Sequence, residues 1–133
     1  MGFSEFLGHC SSVKAEIRAV LRGLCLAKEA HAQRLWLQID SNIVVNMLLH
    51  HQPVHPDLSR LLHKCKCLIK WEGWEIRISH CPREANQVAD ILANMGCAGT
   101  SGVSVYSLPP RDVREALYAD SLGVYWPRRR KVT

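Results

Sequence analysis

Residues 74–90 read WEIRISHCPREANQVAD. Trp74, Ile76 and Ile78 alternate with Glu75, Arg77 and Ser79, a period of two that predicts a half-buried strand ending at His80. Pro82 stops the strand, and a helix is expected from about 83 to 95 with Val88, Ile91, Leu92 and Met95 as its apolar side. The junction carries His80 at the strand end, and Asn86 and Asp90 lie one helical turn apart just beyond it. Open α/β sheets place their sites outside the carboxyl ends of their strands, so this junction is where chemistry is expected.

Working upstream, Leu58, Leu61, Leu62, Cys65, Leu68 and Ile69 recur at i, i+3, i+4, i+7 and predict a helix over about 56–70, with Glu72-Gly73 as the turn into the strand. Before it, Ile43, Val44, Met47 and Leu48 mark a short helix opened by Asp40-Ser41-Asn42 and stopped by His50-His51-Gln52-Pro53. Leu35, Leu37 and Ile39 alternate with Arg34, Trp36 and Gln38 in a second strand that ends at Asp40. Val13, Ile17, Val20, Leu21 and Leu24 form the stripe of a first helix running to about His31, with Ser12 placed to cap it and Ala15 and Glu16 in its first turn. Glu16 falls at the edge of that stripe, beside the core rather than opposite it. Residues 3–8 read as a short strand.

The order is therefore β-α-β-α-α-β-α plus a tail, an α/β class with parallel neighbouring strands. Three short strands are a thin support for four helices, since sheets usually carry more. Beyond Gly96 the run CAGTSGVS reads as a linker, and Pro109-Pro110 opens one more short helix through Ala119, with Leu117 and Tyr118 available to dock on the body. The expected division is a domain over 1–97 followed by a linker, short helix and basic tail over 98–133.

At 133 residues, 47% hydrophobic and 22% charged, the chain suits one compact domain rather than a disordered segment. No run approaches the ~18 apolar residues of a membrane span, and MGFSEFLGHC lacks the basic flank and apolar run of a secretory signal. Reduced thiols in an intracellular setting, nucleus or cytoplasm, are the expectation for the six cysteines at 10, 25, 65, 67, 81 and 97. Cys25 reads as a small core residue. His63 and Cys67 share a helix face at i, i+4 near His50, His51 and His55, but Cys65 points away and no C-x-x-C spacing occurs, so a structural zinc site is not the expected reading. The net charge of +5 is concentrated in Arg128-Arg129-Arg130-Lys131. Such a tail either holds polyanions weakly or is a solvated end.

Glu16, Asp40, His80 and Asp90 all fall where one rim of an α/β sheet would gather them. Hard divalent cations take carboxylate oxygens from several elements, with waters completing the shell. Paired ions of this kind clamp the attacking and leaving oxygens of a phosphodiester. Each residue also has a duller reading: Glu16 favouring its helix N-terminus, Asp40 capping the next helix, Asn86 and Asp90 on a solvated face, His80 in a surface turn.

Three ordered blocks, VKAEIRAVLRGL, LWLQIDSNIVV and ISHCPREANQVADILANMG, together resemble the ribonuclease H superfamily, and within it the plant reverse-transcriptase-like domains related to retroelements. The resemblance covers about residues 2–96. It implies a ribonuclease H-like mixed sheet flanked by helices, truncated at the N-terminus in this chain. It implies Mg²⁺ in a two-ion site as cofactor, with Glu16, Asp40 and Asp90 matching three of the family's four metal-binding carboxylates. His80 matches a histidine that assists proton transfer and product release, and Asn86 an asparagine on the nucleic acid backbone; Arg83 is a basic neighbour for the same partner. The family's first carboxylate has no counterpart in the 15 residues before Glu16, and Glu5 falls on a different strand. The implied reaction is Mg²⁺-dependent endonucleolytic hydrolysis of the RNA strand of an RNA–DNA hybrid. The alternative is a catalytically impaired domain that still binds an RNA–DNA hybrid or other nucleic acid, and a third class is an interaction or structural protein built on the His/Cys cluster.

Overall fold

The computed structural model describes residues 1–5, 12–99 and 102–122. Residues 6–8 of the expected first strand, Cys10 and the basic run 128–131 lie outside the described residues. The elements are β1 (Gly2–Glu5), α1 (Ser12–Glu29), β2 (Arg34–Ile39), α2 (Asn42–Leu49), α3 (Pro56–Ile69), β3 (Glu75–His80), α4 (Gln87–Ala98), β4 (Val103–Tyr106) and α5 (Arg114–Ser121), with single 3₁₀ turns at Arg83–Ala85 and Arg111–Val113. This is an α/β fold. It divides into two compact units, one made of His9–His80 and the other of Met1–Gly8 together with Cys81–Thr133.

In the unit formed by His9–His80, β2 and β3 pair in parallel, with the register running from Arg34↔Glu75 to Ile39↔His80. The helical segments α2 and α3 supply the crossover that two parallel strands require. Ile17, Val20 and Leu24 of α1, Ile39 of β2, Val44, Val45 and Leu48 of α2, Leu62 and Cys65 of α3, and Trp74 form one buried cluster. Val13, Leu21, Leu58, Leu61, Leu68 and Ile69 pack partly buried against it, as the helical stripes require. Cys65 rather than Cys25 is the core cysteine; Cys25 is half-buried. Burial pushes the Cys65 thiol up to about 11, so it stays neutral at ordinary pH. Trp74 is buried yet satisfied, since its indole N–H donates to the Leu68 carbonyl at 3.0 Å.

Local chemistry explains the ends of these elements. Pro56 opens α3, where a missing N–H loses nothing, and His55 Nδ1 accepts from the Asp57 N–H at 3.2 Å. Ser12 is the first residue of α1 rather than its cap, so Glu16 stands one residue past the first turn.

The second unit departs more from the sequence reading. β1 does not join β2 and β3; it pairs antiparallel with β4, from Gly2↔Tyr106 to Glu5↔Val103. The stretch read as a linker therefore contains a strand. Val103 and Val105 alternate with Ser104 and Tyr106, and a strand partner about a hundred residues away overrides the small, polar composition before them. Ser4 of β1 is buried, and its hydroxyl lies 3.3 Å from the Tyr106 hydroxyl. The helix expected from 83 starts at Gln87, because Arg83–Ala85 first make a 3₁₀ turn after Pro82. It also continues through Gly96 to Ala98. Gly96 is buried because the β1 backbone crosses it; a Cβ there would lie 2.6 Å from the Glu5 carbonyl oxygen. In α5 the buried residues are Val113, just before the helix, and Ala116, whereas Leu117 and Tyr118 are exposed and do not dock.

The close approach at Gly96 has a measurable consequence. Helix propensity alone would make Gly96→Ala stabilising by about 1 kcal/mol. Contact with the Glu5 backbone reverses that sign, and urea unfolding is expected to show a net loss of roughly 1–3 kcal/mol.

Candidate functional site

The register of β2 and β3 decides where the site sits. Ile39 faces His80 across the parallel pair, so Asp40, the next residue, leaves β2 beside the end of β3. The two are joined directly: His80 Nε2 lies 3.2 Å from the Asp40 main-chain carbonyl oxygen. A carbonyl oxygen only accepts, so Nε2 carries the proton in this bond. In the neutral ring Nδ1 is then the atom that accepts a proton. His80 is exposed, and Asp40 is half-buried.

Capping does not account for Asp40. The N-cap of α2 is Ser41, in extended conformation, whose Oγ accepts from the Val44 N–H at 3.4 Å, while its carbonyl accepts from the Val45 N–H at 3.1 Å. Glu16 is half-buried on α1, and its neighbour Ile17 is fully buried in the same cluster as Ile39, the neighbour of Asp40. Asp40 thus directly follows β2 and His80 ends β3, while Glu16 lies within α1.

The remaining predicted residues belong to the other unit. Arg83 is exposed and begins the 3₁₀ turn. Asn86 is the N-cap residue of α4; its carbonyl accepts from the Asp90 N–H at 3.1 Å, and its side chain makes no capping hydrogen bond. Asp90 is exposed in the first turn of α4, where a negative charge suits the helix N-terminus. Glu5 closes β1 opposite Val103 and belongs to this second unit as well.

Carboxylate oxygens are the donors that a hard divalent cation takes, and Mg²⁺ is commonly held by one or two carboxylates with waters and substrate phosphates filling the rest. Glu16 and Asp40 fit that donor type. Among the described residues, no group of three or more His, Cys, Asp and Glu side chains forms a metal cage. Sequence reasoning missed the contact between His80 and the Asp40 carbonyl, although both strand ends were legible; only the register could show it.

An α/β unit with acidic and imidazole groups at the carboxyl ends of paired parallel strands agrees with a ribonuclease H-like fold. A family model described as reverse transcriptase-like matches residues 1–96, and the chain belongs to that family. It is also 36% identical over 128 residues to the Arabidopsis thaliana protein named "Putative ribonuclease H protein", an alignment covering 96% of this chain and 20% of that one. The chain thus spans about a fifth of the length of the curated relative it matches. No solved structure matches it.

The capping assignment is open to test. Ser41→Ala is expected to lower stability by about 0.5–1 kcal/mol in urea unfolding, the lower part of the usual range because the capping bond is long.

Proposed function

We propose that this ribonuclease H-like domain binds nucleic acid and that its reaction is divalent-cation-dependent hydrolysis of the RNA strand of an RNA–DNA hybrid. The observation that carries this reading is the 3.2 Å contact from His80 to the Asp40 main-chain carbonyl, which holds an imidazole against the backbone of a carboxylate-bearing residue at a strand end. Glu16 and Asp40 would hold Mg²⁺, with Asp90 as the third ligand. When bound, the cation supplies charge neutralisation at the phosphodiester and lowers the pKa of a bound water. His80, protonated on Nε2, takes up a proton at Nδ1 and delivers it again once charged, which suits protonation of the departing 3′ oxygen and release of product. Asn86 and Arg83 contact the phosphate backbone, the amide by hydrogen bonds and the guanidinium by charge. Selection of RNA over DNA would rest on contacts to the 2′-hydroxyl. In this reading the family domain occupies 1–97, and 98–133 follow it, with β4 paired to β1.

A second reading keeps binding and drops turnover. It is favoured by one observation: Asp90 is exposed in the first turn of α4, where its charge suits the helix N-terminus without a metal. A domain of that kind would hold hybrid through Asn86, Arg83 and other basic groups, with affinity falling steeply as salt rises.

One experiment separates the two. A labelled RNA–DNA hybrid is incubated with Mg²⁺ and either the wild-type protein or Asp40→Asn, with binding measured in parallel at low and high salt. The hydrolytic reading expects wild-type cleavage that Asp40→Asn abolishes and that His80→Ala slows by roughly 100-fold. Equal cleavage by wild type and Asp40→Asn would contradict it. Salt-dependent binding without cleavage supports the second reading, and no binding at low salt overturns both.

A further inference from the structure

His63 and Cys67 sit one turn apart on the exposed side of α3 and take no part in the site at Asp40 and His80. Their reacting atoms already face each other: Cys67 Sγ and His63 Nε2 are 3.5 Å apart. A zinc-type ion holds sulfur at about 2.3 Å and imidazole nitrogen at about 2.0–2.1 Å, and at a tetrahedral angle those bonds place S and N roughly 3.5 Å from each other. The observed separation is that of a thiol–imidazole hydrogen bond and also matches the bite of such an ion, so chelation requires little movement of either side chain. The geometry points to an open two-ligand site for a soft or borderline d¹⁰ cation, Zn²⁺ in chemical class, chelated by His63 and Cys67 with exogenous ligands in the remaining positions.

The surroundings define what kind of site this is. Cys65, two residues from Cys67, is buried in the core with its thiol 3.8 Å from the Ile17 carbonyl, so it does not turn outward to add a third ligand. Lys66 donates to the His50 carbonyl at 3.3 Å, which ties His50 to α3. Arg60, Lys64 and Lys70 are exposed along the same helix and its end, and their charge opposes a dication. Retention therefore depends on the two inner-sphere bonds and on the negative charge of the thiolate. In the unloaded state the pair rests as a thiol–imidazole contact. On binding, the thiol proton leaves to solvent, Sγ and Nε2 each give a lone pair to the cation, and the neutral ring keeps its proton on Nδ1. With two positions open the ion exchanges readily and accepts outside ligands, unlike a closed four-ligand structural site. Soft ligand chemistry also sets it apart from the carboxylate site, which prefers Mg²⁺.

The test uses Cd²⁺ as probe on the reduced full-length chain, because cadmium–thiolate bonds absorb in the ultraviolet and can be titrated directly. The wild-type protein and Cys97→Ser, which removes the other exposed described thiol, are expected to bind one equivalent with equal affinity in excess Mg²⁺. Cys67→Ser is expected to remove that absorption, and His63→Gln to weaken binding by on the order of tenfold or more. Both side chains are exposed, so circular dichroism is expected to show the same fold in each variant. Unchanged affinity in His63→Gln would reduce the site to a single thiol and overturn the proposal. Retention of the band in Cys67→Ser, or its loss in Cys97→Ser, would place the metal elsewhere and overturn it equally. None of these outcomes depends on hybrid cleavage.

Discussion

The parallel pairing of β2 with β3 is the constraint on which the site depends. Side chains alternate along a strand, so a slip of one residue would turn Leu35, Leu37 and Ile39 away from the cluster formed by α1, α2 and α3. Burial of those residues therefore fixes the register to the residue. The same register sets Ile39 opposite His80, and the chain leaving β2 at Asp40 passes within hydrogen-bond reach of the histidine ring. Hydrophobic patterning in the strands is thus what brings a carboxylate-bearing residue and an imidazole together. The contact also defines the ring's state: a bond to a carbonyl assigns the proton to Nε2 and leaves Nδ1 as the acceptor.

Around that pairing, the division of labour between neighbouring residues is clear. Ser41 satisfies the start of α2, which removes capping as the reason for an aspartate at position 40. Ile17 anchors α1 in the core while Glu16, one residue before it, stays half-buried at the margin. The Arg83–Ala85 turn delays the start of α4, and the result is that Asn86 serves as its cap residue and Asp90 falls in its first turn. Each polar residue of interest is next to one whose structural role is evident, which is how a small fold can hold reactive groups at its rim.

Much of this was legible in the sequence, because α1, β2, α2, α3 and β3 obey strong local periodicities. The strand ends at Asp40 and His80 followed from alternation alone. What was not legible depended on distant partners. β4 is hidden in a stretch of small and polar residues and exists because β1 pairs with it from the other end of the chain. Gly96 read as a helix terminus, yet it lies within α4 because the Glu5 backbone needs the space. The two docking residues expected in α5 are exposed, and Val113 and Ala116 are buried instead. For the site, residue types and strand positions were readable, whereas the contact between His80 and the Asp40 carbonyl required the register. Family membership rests on a separate footing, the match over residues 1–96 and the 36% identity to the Arabidopsis protein.

The central claim is that a hard divalent cation is received at the carboxyl ends of β2 and β3. Paramagnetic broadening by Mn²⁺, which shares the oxygen-ligand preference of Mg²⁺, tests it residue by residue in an NMR titration without relying on turnover. The account predicts that the amide signals of Asp40, Ser41 and His80 broaden first, with Glu16 following, and that excess Mg²⁺ reverses the effect. Broadening centred on other parts of the chain, with the signals of Asp40 and His80 unchanged, would contradict it.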